Sequence, residues 1–102
     1  ILGIDCSGFT QMIYRFFNIN LPRDSSDQSK NGKKINFKES KLGDLAFFYQ
    51  KKKITHVGII LNNQKIIHSS GKVKIDSIDE KGIYNAEVKK YSHKLKVIKR
   101  FF

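Results

Sequence analysis

The single cysteine of this chain, Cys6, lies in the tetrapeptide Asp5-Cys6-Ser7-Gly8. Apolar residues then recur at the i, i+3, i+4, i+7, i+8 spacing of an amphipathic helix, which predicts a helix over residues 7–18. Cys6 is therefore expected at the helix N-terminus, where unpaired amides and the helix dipole favour a thiolate. The thiolate is the nucleophilic form, so this position suits covalent catalysis. The predicted buried face of the helix consists of Phe9, Met12, Ile13, Phe16 and Phe17.

A cysteine nucleophile needs a base within hydrogen-bond reach and a third group that orients the base. His56 and His68 lie on two predicted neighbouring strands that are joined by the turn signal Asn62-Asn63. Because side chains alternate between the faces of a strand, a two-residue turn there would place the histidines on opposite faces. We therefore expect an odd-length loop or a compensating bulge, which would place them on one face.

Of two further residues, we expect Gly58 to lie at the site and His93 to lie outside it. Gly58 shares the face of His56, and its missing side chain would leave room for a substrate or for the Cys6 helix. His93 lies in a polar stretch beside Lys94 and is expected to be exposed and outside the site.

The remaining patterns predict an α+β domain with the leading helix packed on an antiparallel sheet of about five strands. Asp44 is expected to fix the turn that enters the first strand. Residues 25–28 suggest a short helical turn, residues 30–34 a polar loop, and residues 79–93 either a short helix or a loop. The predicted strands cover residues 45–49, 55–61, 65–69, 72–78 and 95–102, and the segment 72–78 has the alternation of a half-buried strand.

Composition limits the function classes. The 102 residues suffice for one domain, and one cysteine excludes an internal disulfide and a multi-cysteine metal site. We propose no metal or cofactor, since acyl transfer needs none. The net charge of +11 favours anionic surroundings such as nucleic acid, acidic lipid or an anionic wall polymer. Lysine greatly outnumbers arginine, which argues against specific nucleic-acid recognition. No segment has the length of a membrane span, and no signal peptide is visible.

Five ordered segments resemble the NlpC-type cell-wall peptidases. The resemblance spans nearly the whole chain, residues 1–102 being expected to form one catalytic domain without the upstream helix that family domains usually have. The segments are Asp5-Cys6-Ser7-Gly8-Phe9, Leu21-Pro22-Arg23-Asp24-Ser25 with Gln28, Gly43-Asp44-Leu45-Ala46-Phe47-Phe48, His56-Val57-Gly58-Ile59 and Ile67-His68-Ser69-Ser70.

The resemblance implies a reduced papain-like fold and a triad of Cys6 as nucleophile, His56 as general base and acid, and His68 as the orienting residue. It also implies endopeptidase cleavage of peptidoglycan stem peptides between D-glutamate and the following diamino acid, in an extracytoplasmic location. The same resemblance suggests that Asp5, Ser7 and Ser70 hold the substrate, which is the expected partner together with anionic wall polymers.

Two other functions remain open from the residues alone. The same framework supports amidase, deamidase or acyltransferase chemistry, since one fold hosts several reactions. The net charge of +11 would also suit a module that binds anionic polymers without catalysis. The intact Asp5-Cys6-Ser7-Gly8 sequence favours the peptidase.

Overall fold

The computed structural model describes residues 5–62 and 64–102, which form two helices and seven strands. The predicted α+β class and the short second helix are confirmed. The helices are α1 (Cys6–Arg15) and α2 (Ser25–Gln28), and a 3₁₀ turn covers Phe37–Glu39. The strands are β1 (Lys33–Ile35), β2 (Leu45–Gln50), β3 (Lys53–Asn62), β4 (Lys65–Ser69), β5 (Val73–Asp79), β6 (Gly82–Asn85) and β7 (Lys90–Arg100).

The seven strands form one antiparallel sheet in the order β1-β7-β2-β3-β4-β5-β6. β7 also pairs with β6, so the sheet closes into a ring of six strands with β1 attached to β7. The prediction of about five strands was too low, because β1 and β6 fall in the segments predicted as a loop and as an ambiguous stretch. Both are short: β1 pairs with the distant β7, an interaction that local patterning does not register, and β6 pairs with its sequence neighbours β5 and β7.

The two faces of the sheet carry separate cores. Helix α1 covers one face, where Phe9 and Tyr14 pack with Phe47 and Val57. The other face lines the inside of the ring, where a second cluster includes Phe48, and the ring of His56 lies 5.7 Å from that of Phe48. His56 therefore belongs to the ring interior, whereas α1 packs outside it.

Helix α1 is shorter than predicted, and of the predicted buried face only Phe9 and Ile13 pack in the core. The helix ends at Arg15. Beyond it, Asn18 adopts a left-handed conformation with φ 60°, and the Ile19 amide donates a hydrogen bond to the Tyr14 carbonyl. This arrangement is typical of a helix C-terminal cap. Phe16 and Phe17 are 79% and 71% exposed, and Met12 is also exposed. The buried residues of the helix are Ser7, Phe9, Thr10 and Tyr14.

The polar residues on that buried face form hydrogen bonds. These bonds explain why the helix buries polar side chains there while Phe16 and Phe17 stay exposed. The Thr10 hydroxyl lies 3.0 Å from the side-chain oxygen of the buried Gln28, and it also donates to the Ser7 carbonyl. Gln28 Nε2 in turn donates to the Ser7 and Pro22 carbonyls. A hydrophobic period alone does not detect a helix face that is anchored through such hydrogen bonds.

The β3–β4 hairpin confirms the predicted compensating bulge. Gly58 pairs with His68 and Ile60 with Ile66, and the register then shifts between Ile60 and Asn62. This shift keeps His56 and His68 on one face. Asn63, the second residue of the expected turn, lies outside the described residues.

Gly58 serves the neighbouring strand rather than a substrate or α1, contrary to expectation. A Cβ atom at this position would lie 2.7 Å from Ile66 Cδ1 and 2.9 Å from His68 Cβ. The missing side chain therefore lets β4 place His68 beside His56.

Among the described residues, no helix has the length and apolarity to cross a membrane.

Candidate active site

Cys6 occupies the first turn of α1, as predicted. The Asp5 side chain caps the helix by accepting a hydrogen bond from the Gly8 amide at 2.7 Å. The register pairs β3 with β4 from Gly58 onward, so the first half of β3 extends past the end of β4. Cys6 lies against this part of β3, with Sγ 4.0 Å from the Thr55 carbonyl oxygen.

The surroundings of Cys6 oppose the thiolate more than they favour it. Burial raises the pKa of the Cys6 thiol, and the neighbouring Asp5 carboxylate raises it further. The amides of Val57, Ser7 and Cys6 itself act in the opposite direction but do not compensate. The resting side chain is therefore a thiol, and the thiolate expected from the helix N-terminus alone is outweighed by desolvation.

His56 and His68 are brought together as predicted, and a carboxylate continues the line. His56 Nε2 lies 2.8 Å from His68 Nδ1, and His68 Nε2 lies 2.7 Å from Asp76 Oδ2. Both histidines are buried, His68 completely. Cys6 lies next to the backbone on both sides of His56.

Asp76 was not predicted, because the apolar residues Val73 and Ile75 of the alternating segment 72–78 do not mark its inward face. Val73 and Ile75 are exposed, whereas Ile78 is buried inside the ring. Asp76 shares the face of Ile78, and the register places it opposite Ile66, next to His68. Lys74 and Asp76 thus lie on the face of β5 that carries the contacts to the histidines.

The histidines of the site are neutral in the resting protein. Burial, followed by the proximity of His93, His68 and Lys74, lowers the pKa of His56 to about 3. Burial also lowers the pKa of His68, although the hydrogen bond to Asp76 acts in the opposite direction. A neutral His56 is able to accept a proton.

His93 belongs to this cluster, and the expectation that it is exposed and isolated was wrong. Its ring stacks on that of His56 with centroids 4.1 Å apart and planes inclined by 24°. His93 lies near the start of β7, where pairing with Ile83 of β6 holds it inside the ring. The polar neighbours of His93 in sequence gave no indication of this pairing between β6 and β7.

Asp5 and Ser7 are linked through Arg23, whose role the sequence did not reveal. Arg23 donates from Nη2 to Asp5 Oδ2 at 2.8 Å and from Nη1 to Ser7 Oγ at 2.9 Å. Ser7 is buried, whereas Asp5 and Arg23 are exposed beside Cys6. This network holds the beginning of α1 in place.

Ser70 lies apart from that network, two residues after His68 and just beyond the end of β4. Its side chain is exposed, and its amide donates to the Lys72 carbonyl at 3.0 Å. The structure therefore places Ser70 in a turn near the end of the strand that carries His68.

A cleft of about 510 Å³ opens beside His56 and His93. Lys51 and Lys94 lie along it, which favours ligands that carry carboxylates. In the part of the chain that is described, no group of three or more His, Cys, Asp or Glu side chains is arranged to hold a metal ion. The remaining lining residues are Tyr49, Gln50, Thr55, Tyr91 and Ser92.

Comparison with known proteins identifies the class of this domain. The model of the NlpC/P60 family matches residues 1–92. A probable endopeptidase NlpC homolog from Haemophilus influenzae is 46% identical over 82 residues, which cover 78% of this chain and 43% of the relative. A gamma-D-glutamyl-L-lysine dipeptidyl-peptidase from Bacillus subtilis is 43% identical over 70 residues, which cover 66% of this chain and 24% of the relative.

The fold gives the same answer. The crystal structure of an NlpC/P60 family protein from Bacillus cereus matches with a TM-score of 0.80 and 30% identity, over 97% of this chain and 32% of that one. The chain therefore belongs to the NlpC/P60 family, and the resemblance drawn from its five segments is confirmed. It spans less than half the length of each of these three relatives.

Proposed function

We propose that this domain is a cysteine peptidase that hydrolyses peptidoglycan stem peptides at the bond between D-glutamate and the following diamino acid. The observation that carries the proposal is Cys6 at a helix N-terminus, next to the strand that holds His56, with His68 behind it. The Bacillus subtilis relative is named for a gamma-D-glutamyl-L-lysine substrate, which supports the choice of bond. A reduced papain-like arrangement and an extracytoplasmic location are part of the same proposal.

The mechanism starts from a neutral pair. When a peptide carbonyl lies against Cys6, His56 accepts the Sγ proton and the thiolate attacks the carbonyl carbon. The Cys6 amide at the helix N-terminus stabilises the negative oxygen that forms. The imidazolium of His56 then gives its proton to the leaving amine, and a thioester remains. Water, deprotonated by His56, hydrolyses the thioester and restores the thiol.

Substrate binding is assigned to the exposed groups around this pair. Asp5 is exposed next to Cys6 and suits the free amino end of a stem peptide, while Ser7 supports the same position through Arg23. Ser70 is proposed to contact the peptide from the end of β4. Lys51 and Lys94 along the cleft suit the carboxylates of the stem peptide.

The test compares wild type, Cys6→Ala and the control Asp27→Asn on purified peptidoglycan fragments, with products identified by mass spectrometry. Asp27 is exposed on α2 and its carboxylate contacts Lys30, so its variant removes a charge that belongs to none of the proposed site residues. We expect cleavage after D-glutamate by wild type and Asp27→Asn, and none by Cys6→Ala. Cleavage that survives in Cys6→Ala would exclude Cys6 as nucleophile. A cut at another bond would indicate amidase or other acyl-transfer chemistry.

The net charge of +11 favours one alternative, a module that binds anionic wall polymers without catalysis. That function predicts polymer binding that weakens steeply with salt and is unchanged in Cys6→Ala. It also predicts an absence of cleavage by a folded protein whose Cys6 is unreactive toward alkylating agents.

A further inference from the structure

The line His56–His68–Asp76 restricts where protons reside. A carboxylate has acceptors only, so the 2.7 Å contact between Asp76 Oδ2 and His68 Nε2 requires a proton on that nitrogen. Neutral His68 then has a bare Nδ1, which acts as an acceptor. The burial of His68, complete in this structure, favours this neutral form.

The same logic reaches His56. Because His68 Nδ1 is an acceptor, the 2.8 Å contact requires His56 Nε2 to carry the proton. The other nitrogen of neutral His56, Nδ1, is then bare and available as a base. With the opposite arrangement, His56 Nδ1 would hold a proton and would be unable to take one from Cys6.

We propose that Asp76 is a positioning residue, which acts through His68 to select the tautomer of His56 that has a bare Nδ1. The inference rests on the proposed function of Cys6 and His56. It adds a fourth member, contributed by β5, to the three residues predicted from the sequence.

The groups around the line fit this assignment. Lys74 Nζ lies 3.8 Å from Asp76 Oδ2 and forms an ion pair with this carboxylate. His93 stacks on His56 by its ring face and does not occupy the hydrogen bond between the two histidines. When His56 becomes protonated during the reaction, its Nε2 still donates to His68, whose Nε2 still donates to the carboxylate.

The test uses Asp76→Asn, which keeps the shape of the side chain but offers both a donor and an acceptor. Asp27→Asn is the matched control, and Asp76→Glu restores a carboxylate. Three quantities are measured at matched pH: the ¹⁵N shifts of the histidines, the rate of Cys6 alkylation by iodoacetamide, and kcat and KM for a stem peptide.

In wild type we expect the Nε2–H tautomer at both His56 and His68. Asp76→Asn is expected to give a mixture of tautomers, with alkylation and kcat lowered roughly 10- to 100-fold. KM should stay near the wild-type value, and Asp76→Glu should recover part of the loss. Asp27→Asn should match wild type in all three quantities.

Two results would overturn the inference. One is a wild-type His68 that carries its proton on Nδ1. The other is a folded Asp76→Asn protein with wild-type tautomers and alkylation. The ¹⁵N shifts and alkylation need no peptide substrate, so a wild type that alkylates normally but cleaves nothing would refute the proposed reaction and not the role of Asp76.

Discussion

Cys6 and His56 both have surroundings that disfavour their charged forms. Burial raises the pKa of the thiol and lowers the pKa of the imidazole to about 3. These shifts favour a thiol and a neutral imidazole at rest, so in the proposed mechanism the proton moves when the substrate is in place. Such a site limits the reactivity of the only cysteine toward unrelated electrophiles.

His93 influences the basicity of His56 from its stacked position. We predict that His93→Phe keeps an aromatic ring against His56 and removes a group whose positive charge lowers the His56 pKa. The pKa of His56 should rise, so a higher pH is needed to free the base. The acidic limb of the kcat/KM profile should then shift to higher pH.

His93→Ala provides the comparison, because it removes the stack as well as the charge. Loss of the ring lets water reach His56 and relieves its desolvation, which raises its pKa further than His93→Phe does. A histidine titration followed by NMR measures both variants. An acidic limb that stays fixed or moves to lower pH in His93→Phe would contradict the prediction.

The site residues that could be predicted from the sequence have a local signal, whereas the residues that were missed depend on strand register. Cys6, His56 and His68 could be predicted as site residues because a rare residue type stands at a helix start or within a strand pattern. Asp76 and His93 were missed because their placement depends on the register with the neighbouring strands β4 and β6. Nothing in the local composition reports which of two strand faces points inward when both carry polar residues.

At the scale of elements, the contact between β3 and β4 depends on one absent side chain. We predict that Gly58→Ala is destabilising by about 1 to 3 kcal/mol, because its Cβ would overlap Ile66 Cδ1 and His68 Cβ. Activity should fall as well, since His68 is displaced from His56. Chemical denaturation and peptide hydrolysis measure the two effects.

A double-mutant cycle with Ile66→Val tests the origin of that cost. Ile66→Val removes the Cδ1 atom that the new Cβ would meet. The double variant should be more stable than the sum of the two single changes predicts. Strictly additive free energies of unfolding would show that the overlap with Ile66 is not the cause.

The helix and strands that were predicted correctly are recognisable from their own residues, without knowledge of their partners. Strands β2, β3 and β4 contain runs of buried apolar residues, and α1 begins with a capping aspartate. β1 and β6 have three and four residues; β1 pairs with β7, and β6 pairs with β5 and β7. A short strand of this kind is specified by its partner more than by its own sequence.

At the scale of the whole molecule, a buried ion pair joins the end of β7 to the turn before β2. Arg100 donates from Nε and Nη2 to the two oxygens of Asp44, each at 2.8 Å, and Asp44 is completely buried. Asp44 Oδ2 also accepts from the Lys41 amide, which confirms that it fixes the turn.

We predict that Asp44→Ala lowers the free energy of unfolding by about 3 to 5 kcal/mol, because Arg100 would lose its partner and the Lys41 amide its acceptor. Asp27→Ala, which breaks the exposed pair with Lys30, should cost less than about 1 kcal/mol. Urea denaturation of both variants gives the comparison. Equal losses would contradict a special role for the buried pair.

The closed ring also determines the order in which the domain can be completed during synthesis. β7 leaves the ribosome after the other six strands, yet it is the strand that pairs with β1, β2 and β6. Until then, β2 and β6 each have an edge that no other strand covers. His93 arrives with β7, so a nascent chain already exposes Cys6 and His56 while the aromatic cover of the histidine is still missing. The newly made protein thus passes through an open-edged stage, in which it is most exposed to misassociation and most in need of chaperones.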